Sequence, residues 1–176
     1  SLYTDLYNYN FQDAVKELAQ KAGVALQQIY SKPNEKKNTI IKILTTAIDW
    51  YVKNLDLPES SICREYLKKR NLSDNSIKKF KLGYSYNSNI TLFDYLKSKS
   101  FEENEIIKSN IVKIDKNEKI IDYFYKRLIF PIFNERSIVV GFGGRSLNDS
   151  SPKYINSPES DFFQKRYLLY NLSNAK

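Results

Sequence analysis

Apolar positions along the chain fall first into helical and then into strand spacing. Phe11, Ala14, Val15, Leu18, Ala19 and Ala22 recur at helical intervals. Asn10 stands where an N-cap belongs and Gly23 where the helix should stop. Residues 1–10 are rich in Tyr and Asn and show no period. Residues 31–38, Ser-Lys-Pro-Asn-Glu-Lys-Lys-Asn, read as a polar linker. Beyond it, Ile40, Ile41, Leu44, Ala47, Ile48, Tyr51 and Leu55 make one apolar stripe and predict a longer helix. Pro58 and Glu59 open a short helix that carries Ile62, Tyr66 and Leu67. Asn71 then sits at a position that often needs a left-handed backbone. Ser73 or Asp74 caps a further helix through Phe80, and two more short helices are predicted near 91–98 and 102–109.

The pattern changes near Ile111. Ile111–Ile114 and Lys119–Tyr123 flank Asp-Lys-Asn-Glu as a hairpin-like pair. Leu128–Phe133 and Ser137–Phe142 flank Asn134-Glu135-Arg136 as a second. Helices come first and strands later, without βαβ alternation. That order predicts an α+β fold: a helical N-terminal part followed by a small antiparallel or mixed sheet.

Composition narrows the chemistry. The chain has 176 residues, 41% of them hydrophobic, which is enough for a packed core. It has no His, no Met and a single Cys, Cys63. Neither a Ser/His/Asp nor a Cys/His nucleophilic site can be built from such a set. It cannot by itself supply a closed zinc site. A lone Cys forms no internal disulfide, so the default is a reducing, cytoplasmic compartment. No apolar run approaches membrane-spanning length and no signal-peptide pattern opens the chain, so no membrane partner is expected. The start at Ser-Leu-Tyr, without Met, reads as a piece of a longer protein.

The net charge of +8 favours polyanions such as nucleic acid, an acidic membrane face or phosphorylated ligands. Lys outnumbers Arg by 22 to 6, and Asn, Ile and Tyr are abundant, as the codon drift of an AT-rich genome also produces. Position therefore has to decide.

Backbone special effects are concentrated in one stretch. Three of the five Gly fall at 141, 143 and 144, and three of the five Pro at 131, 152 and 158. Gly141-Phe142-Gly143-Gly144-Arg145 ends a predicted strand; it is either a close-approach anion loop or a glycine bulge or turn. It is not a Walker A loop, since no Gly-Lys-Ser/Thr follows, and no helix clearly follows to make a dinucleotide fingerprint. If residues 153–156 are extended, Lys153 and Ile155 face one side and Tyr154 and Asn156 the other. Lys offers a point charge to phosphate, Tyr a flat face to a base, Asn a donor and an acceptor. An edge strand leading into a helix, with Ser157 as cap and Pro158 at its first position, is the architectural alternative.

Other candidates have plain alternatives. Lys68-Lys69-Arg70 suits the end of a helix dipole. Lys126-Arg127 suits an exposed strand edge. Tyr123, Phe124, Tyr125, Phe130 and Phe133 serve either as a stacking platform or as sheet core. Cys63 is most simply structural. Glu102, Glu103 and Glu105 look like an exposed helix start. Only Glu159 and Asp161 lie near the Gly/Lys cluster, too few acids for two-metal chemistry. The residues describe a binding surface rather than a complete active centre.

Several blocks closely resemble the bacterial replicative DNA primase family (DnaG type). They are Arg127-Leu128-Ile129-Phe130-Pro131-Ile132, Gly141-Phe142-Gly143-Gly144-Arg145 and Pro152-Lys153-Tyr154-Ile155-Asn156-Ser157-Pro158-Glu159. Tyr66-Leu67-Lys68-Lys69-Arg70-Asn71-Leu72, Leu82-Gly83-Tyr84, residues 11–24 and Leu169-Tyr170-Asn171-Leu172 extend the resemblance over nearly the whole chain. It implies the N-terminal subdomain of the RNA-polymerase catalytic core. Residues 1–38 would be linker and helix after an absent zinc-binding domain, and residues 39–176 the subdomain itself. The resemblance implies part of a nucleotidyltransferase that makes short RNA primers. Arg70, Arg127, Arg145, Lys153, Tyr154 and Asn156 would lie on a basic ridge that guides single-stranded DNA template and positions ribonucleotide or RNA primer. It also implies no catalytic residue and no metal bound within this stretch. Mg2+ or Mn2+ would be held by a Toprim part beyond residue 176, Zn2+ by the zinc-binding domain, and a replicative helicase by a C-terminal domain, in a monomer. A non-catalytic single-strand-binding module of a phage or mobile-element protein is the alternative. Asn71 and Asn171 replace family glycines, Ser160 replaces Thr, and Tyr123 and Tyr125 stand where many relatives carry Arg.

Overall fold

The computed structural model describes Lys21, residues 37–86, 90–148, 151–160 and 163–166, and the backbone of 31–36 and 167. The helix expected over 11–22 lies outside the described residues except for Lys21, which is helical. The Leu169–Leu172 block and Asp161 lie outside them too. Two compact units divide the chain, Ser1–Lys37 and Asn38–Lys176. The sheet and the candidate site belong to the second.

Helix α1 spans Ser31–Leu55 and takes in the stretch expected to be a linker. Pro33 falls in its first turn, where a missing N–H breaks no intrahelical bond, and Glu35, Lys36 and Lys37 are good helix formers. Ile40, Ile43, Leu44, Ala47, Ile48, Tyr51 and Leu55 form the buried face. Ile43 takes the place expected for Ile41, which is only half-buried, because successive residues rotate by about 100° around the axis.

A 3₁₀ turn at Pro58–Ser60 leads into α2, Ser61–Lys69, which buries Cys63 and Leu67 and leaves Ile62 exposed. Asn71 adopts φ 54°, as its position after the helix demands. The Asn71 and Leu72 N–H groups reach back to Lys68 O and Leu67 O at 2.9 and 3.2 Å. Ser73 caps α3, Asp74–Lys79, its Oγ accepting the Ser76 N–H at 3.1 Å. Thr91 and Asp94 form a reciprocal capping box on α4, Leu92–Ser98, and α5 follows at Glu103–Lys108.

The strands are β1 (Gly83–Tyr84), β2 (Val112–Ile114), β3 (Ile120–Asp122), β4 (Arg127–Phe133), β5 (Val139–Ser146) and β6 (Tyr154–Asn156). β2 and β3 pair as the expected hairpin; the larger sheet has the order β1-β4-β5-β6, and every pairing is antiparallel. The fold is therefore α+β, as expected. β5 does not end at its glycines but runs through them to Ser146. Side-chain-free positions let other parts come close. A Cβ on Gly83 would lie 2.5 Å from Tyr51 Cβ, so α1 lies directly on β1.

One apolar cluster joins α1 and α4 to Phe124, Ile129 and Phe142, with the Tyr51 and Phe142 rings meeting edge-on at 5.4 Å. A second joins α2 to the sheet through Leu55, Cys63, Leu67, Leu82, Tyr84 and Leu128. This second cluster brings the C-terminal end of α2 beside β5 and β6, where most of the candidate residues lie.

Candidate functional site

β6 is a three-residue edge strand, and two arginines tie it down. Arg145 stands opposite Tyr154 in the register, and its Nε donates to the Tyr154 hydroxyl at 3.0 Å. The Arg145 Cζ also lies 4.0 Å from the centroid of the Tyr66 ring on α2 and 5.6 Å from that of Tyr154. Such face-on placement is attractive because the ring quadrupole is negative over the face. One helical turn after Tyr66, Arg70 donates from Nε to the Tyr66 hydroxyl at 2.8 Å. Arg70, Tyr66, Arg145 and Tyr154 thus form a continuous chain from α2 to β6. Arg127, the first residue of β4, donates from Nη1 to the Lys153 carbonyl at 3.3 Å. Ser146 N–H donates to the same carbonyl at 2.8 Å.

Exposure sorts these residues into two groups. Arg127 and Arg145 are only 9% and 7% exposed, whereas Tyr154 is 62% exposed. Arg70, Lys153 and Asn156 are also exposed. The two buried guanidinium groups are covered from solvent, and each contacts β6 or the residue before it. Burial of a charge is tolerated here because each is hydrogen-bonded. Nor does Arg127 mark a sheet edge, because β4 lies between β1 and β5. The Tyr154 hydroxyl is held below the usual phenol range, first by the hydrogen bond from Arg145 and then by the charges of Arg145, Lys153 and Arg70.

Asn156 pairs with Gly143, and its Oδ1 would lie 3.2 Å from a Cβ there. Beside it a shallow cavity of about 460 Å³ opens, lined by Phe130, Ile132, Gly143, Tyr154, Asn156 and Phe163. Tyr154 and Asn156 alternate with half-buried Ile155, as the extended reading requires.

Other expectations change. Gly143 and Gly144 pair with both β4 and β6, so this backbone belongs to the sheet and is no anion loop. Ser157 caps no helix. It is buried, its Oγ accepts the Phe142 N–H at 2.9 Å, and its own N–H donates to Phe142 O at 2.8 Å. Residues 157–160 are irregular, so Pro158 begins no helix. Among the aromatics, Phe124 is fully buried, and Tyr123 packs against it edge-on at 5.0 Å. Phe130 and Phe133 are half-buried against the core, and only Tyr125, with Lys126 Nζ 5.2 Å from its ring, is exposed. Tyr66 was not among the expected site residues. Its i, i+4 spacing to Arg70 was the available signal.

Among the described residues the donors do not fit a metal ion. The chain has no His, and burial pushes the thiol of its one Cys, Cys63, up to about 12. Among the described residues no three of His, Cys, Asp and Glu group as ligands, and no helix is long and apolar enough to cross a membrane.

The same fold occurs in solved primase cores. The chain superposes on the DnaG primase catalytic domain bound to ssDNA with a TM-score of 0.71 and 31% identity, over 81% of this chain and 44% of that one. For the zinc-binding and RNA polymerase domains of Aquifex aeolicus primase the values are 0.70 and 30%, over 98% and 41%. The sequence matches the DNA primase catalytic core, N-terminal domain, over residues 50–176, and the chain belongs to that family. The DNA primases of Clostridium acetobutylicum and Buchnera aphidicola are both 36% identical, over 96% and 93% of this chain. The chain spans 28% of the length of each of these two relatives. Relatives of this kind do not favour the alternative of a phage or mobile-element binding module.

Proposed function

We propose that this domain is the template-gripping N-terminal part of a DNA primase, a DNA-directed RNA polymerase that makes short RNA primers for replication. The observation that carries the reading is the convergence of α2, β5 and β6 on one patch. There exposed Arg70, Lys153, Tyr154 and Asn156 stand over buried Arg127 and Arg145. Lys153 and Arg70 would take phosphates of an unpaired strand. The Tyr154 ring would stack on a base, and Asn156 at the cavity rim would hydrogen-bond nucleotide or primer. The binding of ssDNA by the solved DnaG catalytic domain supports this assignment.

In this reading residues 1–38 are the connection from a zinc-binding domain, and residues 39–176 are the subdomain. Nucleotidyl transfer, with its Mg2+ or Mn2+, belongs to a Toprim part outside this chain, Zn2+ to the zinc-binding domain, and helicase contact to a C-terminal domain. The protein would act as a cytoplasmic monomer. The test is binding of a fluorescent oligodeoxynucleotide to the 176-residue chain at increasing salt. Two phosphate contacts, at Arg70 and Lys153, give a log–log slope of about −1.4, or roughly 7-fold weaker binding at 200 than at 50 mM. A flat salt response would defeat the reading.

A further inference from the structure

We infer that Tyr66 is a positioning residue, whose ring seats Arg145 and whose hydroxyl aims Arg70 toward the bound strand. The inference rests on the reading of Arg70 and Tyr154 as strand contacts, and it adds the element that holds both. Tyr66 is half-buried, packed against the cluster of Leu55, Cys63, Leu67, Leu82, Tyr84 and Leu128. Its ring is therefore fixed by the core rather than by solvent. Two guanidinium groups from separate elements meet this ring. Arg145 lies over its face at 4.0 Å, and Arg70 bonds to its hydroxyl at 2.8 Å with its Cζ 5.3 Å from the centroid.

Each contact has a distinct consequence. Arg145 lies over the Tyr66 ring and donates to the Tyr154 hydroxyl, so the ring decides where the Tyr154 phenol is anchored. β6 has only three residues and one neighbouring strand, so its own ladder fixes Tyr154 weakly. Arg70 follows the last turn of α2 on an exposed, otherwise rotamer-rich side chain. The hydroxyl of Tyr66 removes that freedom before a strand arrives, which lowers the ordering cost of binding. The two like-charged guanidinium groups are held near each other by one electron-rich ring, the arrangement expected of a surface prepared for phosphates.

Tyr66→Phe and Tyr66→Leu separate the two functions. In Phe the ring stays and the hydroxyl goes. Oligonucleotide affinity should fall on the order of 5-fold. Tyr66→Phe in an Arg70→Ala background should add little further loss, since the hydroxyl acts through Arg70. The Tyr154 phenol, assigned by its disappearance in Tyr154→Phe and followed by ring ¹³C NMR, should titrate as in the wild type. In Leu the seat of Arg145 is lost as well, so the Tyr154 titration should move up toward the ordinary phenol value. Affinity should then fall further than in Phe. Additive losses for Tyr66→Phe and Arg70→Ala, or an unmoved Tyr154 titration in Leu, would overturn the inference. A wild-type chain that ignores oligonucleotide would defeat the functional reading instead, and the Tyr154 titration would still report on the Tyr66 seat.

Discussion

A Cβ placed on Gly144 would lie 2.6 Å from Cδ1 of Phe124. Phe124 is fully buried and meets Phe142 edge-on at 6.1 Å, so it has no room to retreat. Arg127 Cδ closes the same space at 3.2 Å. Gly144→Ala should therefore destabilise the domain by about 1–3 kcal/mol, the usual cost of overpacking. Gly143 is different, because the nearest atom to its Cβ is the side-chain Oδ1 of exposed Asn156 at 3.2 Å, and the next is at 3.8 Å. Gly143→Ala should cost little stability but displace Asn156. Thermal melts of the two variants check the contrast: equal loss in both would mean that the sheet, not Phe124, sets the requirement.

These glycines mark the limit of what the sequence made legible. Their clustering announced a close approach, but not whether a ligand or a side chain fills the space. The filler, Phe124, is 20 residues away and belongs to a loop. Helix faces and caps were largely legible because they are local: Asn71 and, but for Ile43 in place of Ile41, the stripe from Ile40 to Leu55 follow from spacing, and Ser73 was one of two cap candidates. The polar run 31–38 was misread, because polarity resembles a linker while straight-chain residues also prolong a helix. Ser157 was misread because a Ser-Pro pair suggests a helix start, whereas here a cross-strand N–H has the stronger claim on the hydroxyl. The candidate residues stand in motifs that the sequence displays. Their division into buried and exposed groups was not legible, since burial of Arg127 and Arg145 depends on the sheet register.

Ser157 supplies a direct test of that register. Its Oγ is the acceptor for the buried Phe142 N–H. Ser157→Ala leaves that donor without its partner and should cost about 1–3 kcal/mol. Hydrogen exchange at the Phe142 amide should quicken more than at its neighbours in β5. Unchanged protection there would show that the hydroxyl is not the working acceptor.

Stability should fall at alkaline pH, with a sign fixed by burial. Burial pushes the Cys63 thiol from 9.0 to about 12, with Arg64 opposing, and the Tyr84 phenol from 10.0 to about 12. Both groups keep their protons in the native state while the unfolded chain loses them. Below pH 9 neither contributes a slope. From pH 9 to about 12 the unfolded state binds fewer protons, so stability falls by up to about 1.4 kcal/mol per pH unit through Cys63. Tyr84 adds to the fall above pH 10. Urea titrations at pH 8, 9.5 and 10.5 measure it. Cys63→Ala should lower stability at every pH by removing a packed group, yet reduce the slope between pH 9 and 10. A slope unchanged by the substitution would remove Cys63 as its source.

Arg70→Ala and Lys153→Ala test the exposed half of the patch. Both side chains are exposed, and neither fills a core position. Each substitution should leave the melting temperature nearly unchanged, because surface changes usually fall within about 0.5 kcal/mol. Each should also lower the salt slope of oligonucleotide binding by about 0.7, the contribution of one phosphate contact on a single strand. Tyr154→Ala should behave otherwise. Loss of a stacked base costs about 1–3 kcal/mol of affinity but releases no counterion, so the slope should stay near the wild-type value. Anisotropy titrations at four salt concentrations separate the two kinds of loss. If Lys153→Ala instead unfolds the domain, or Tyr154→Ala changes slope rather than affinity, the division between phosphate-binding and base-stacking residues is wrong.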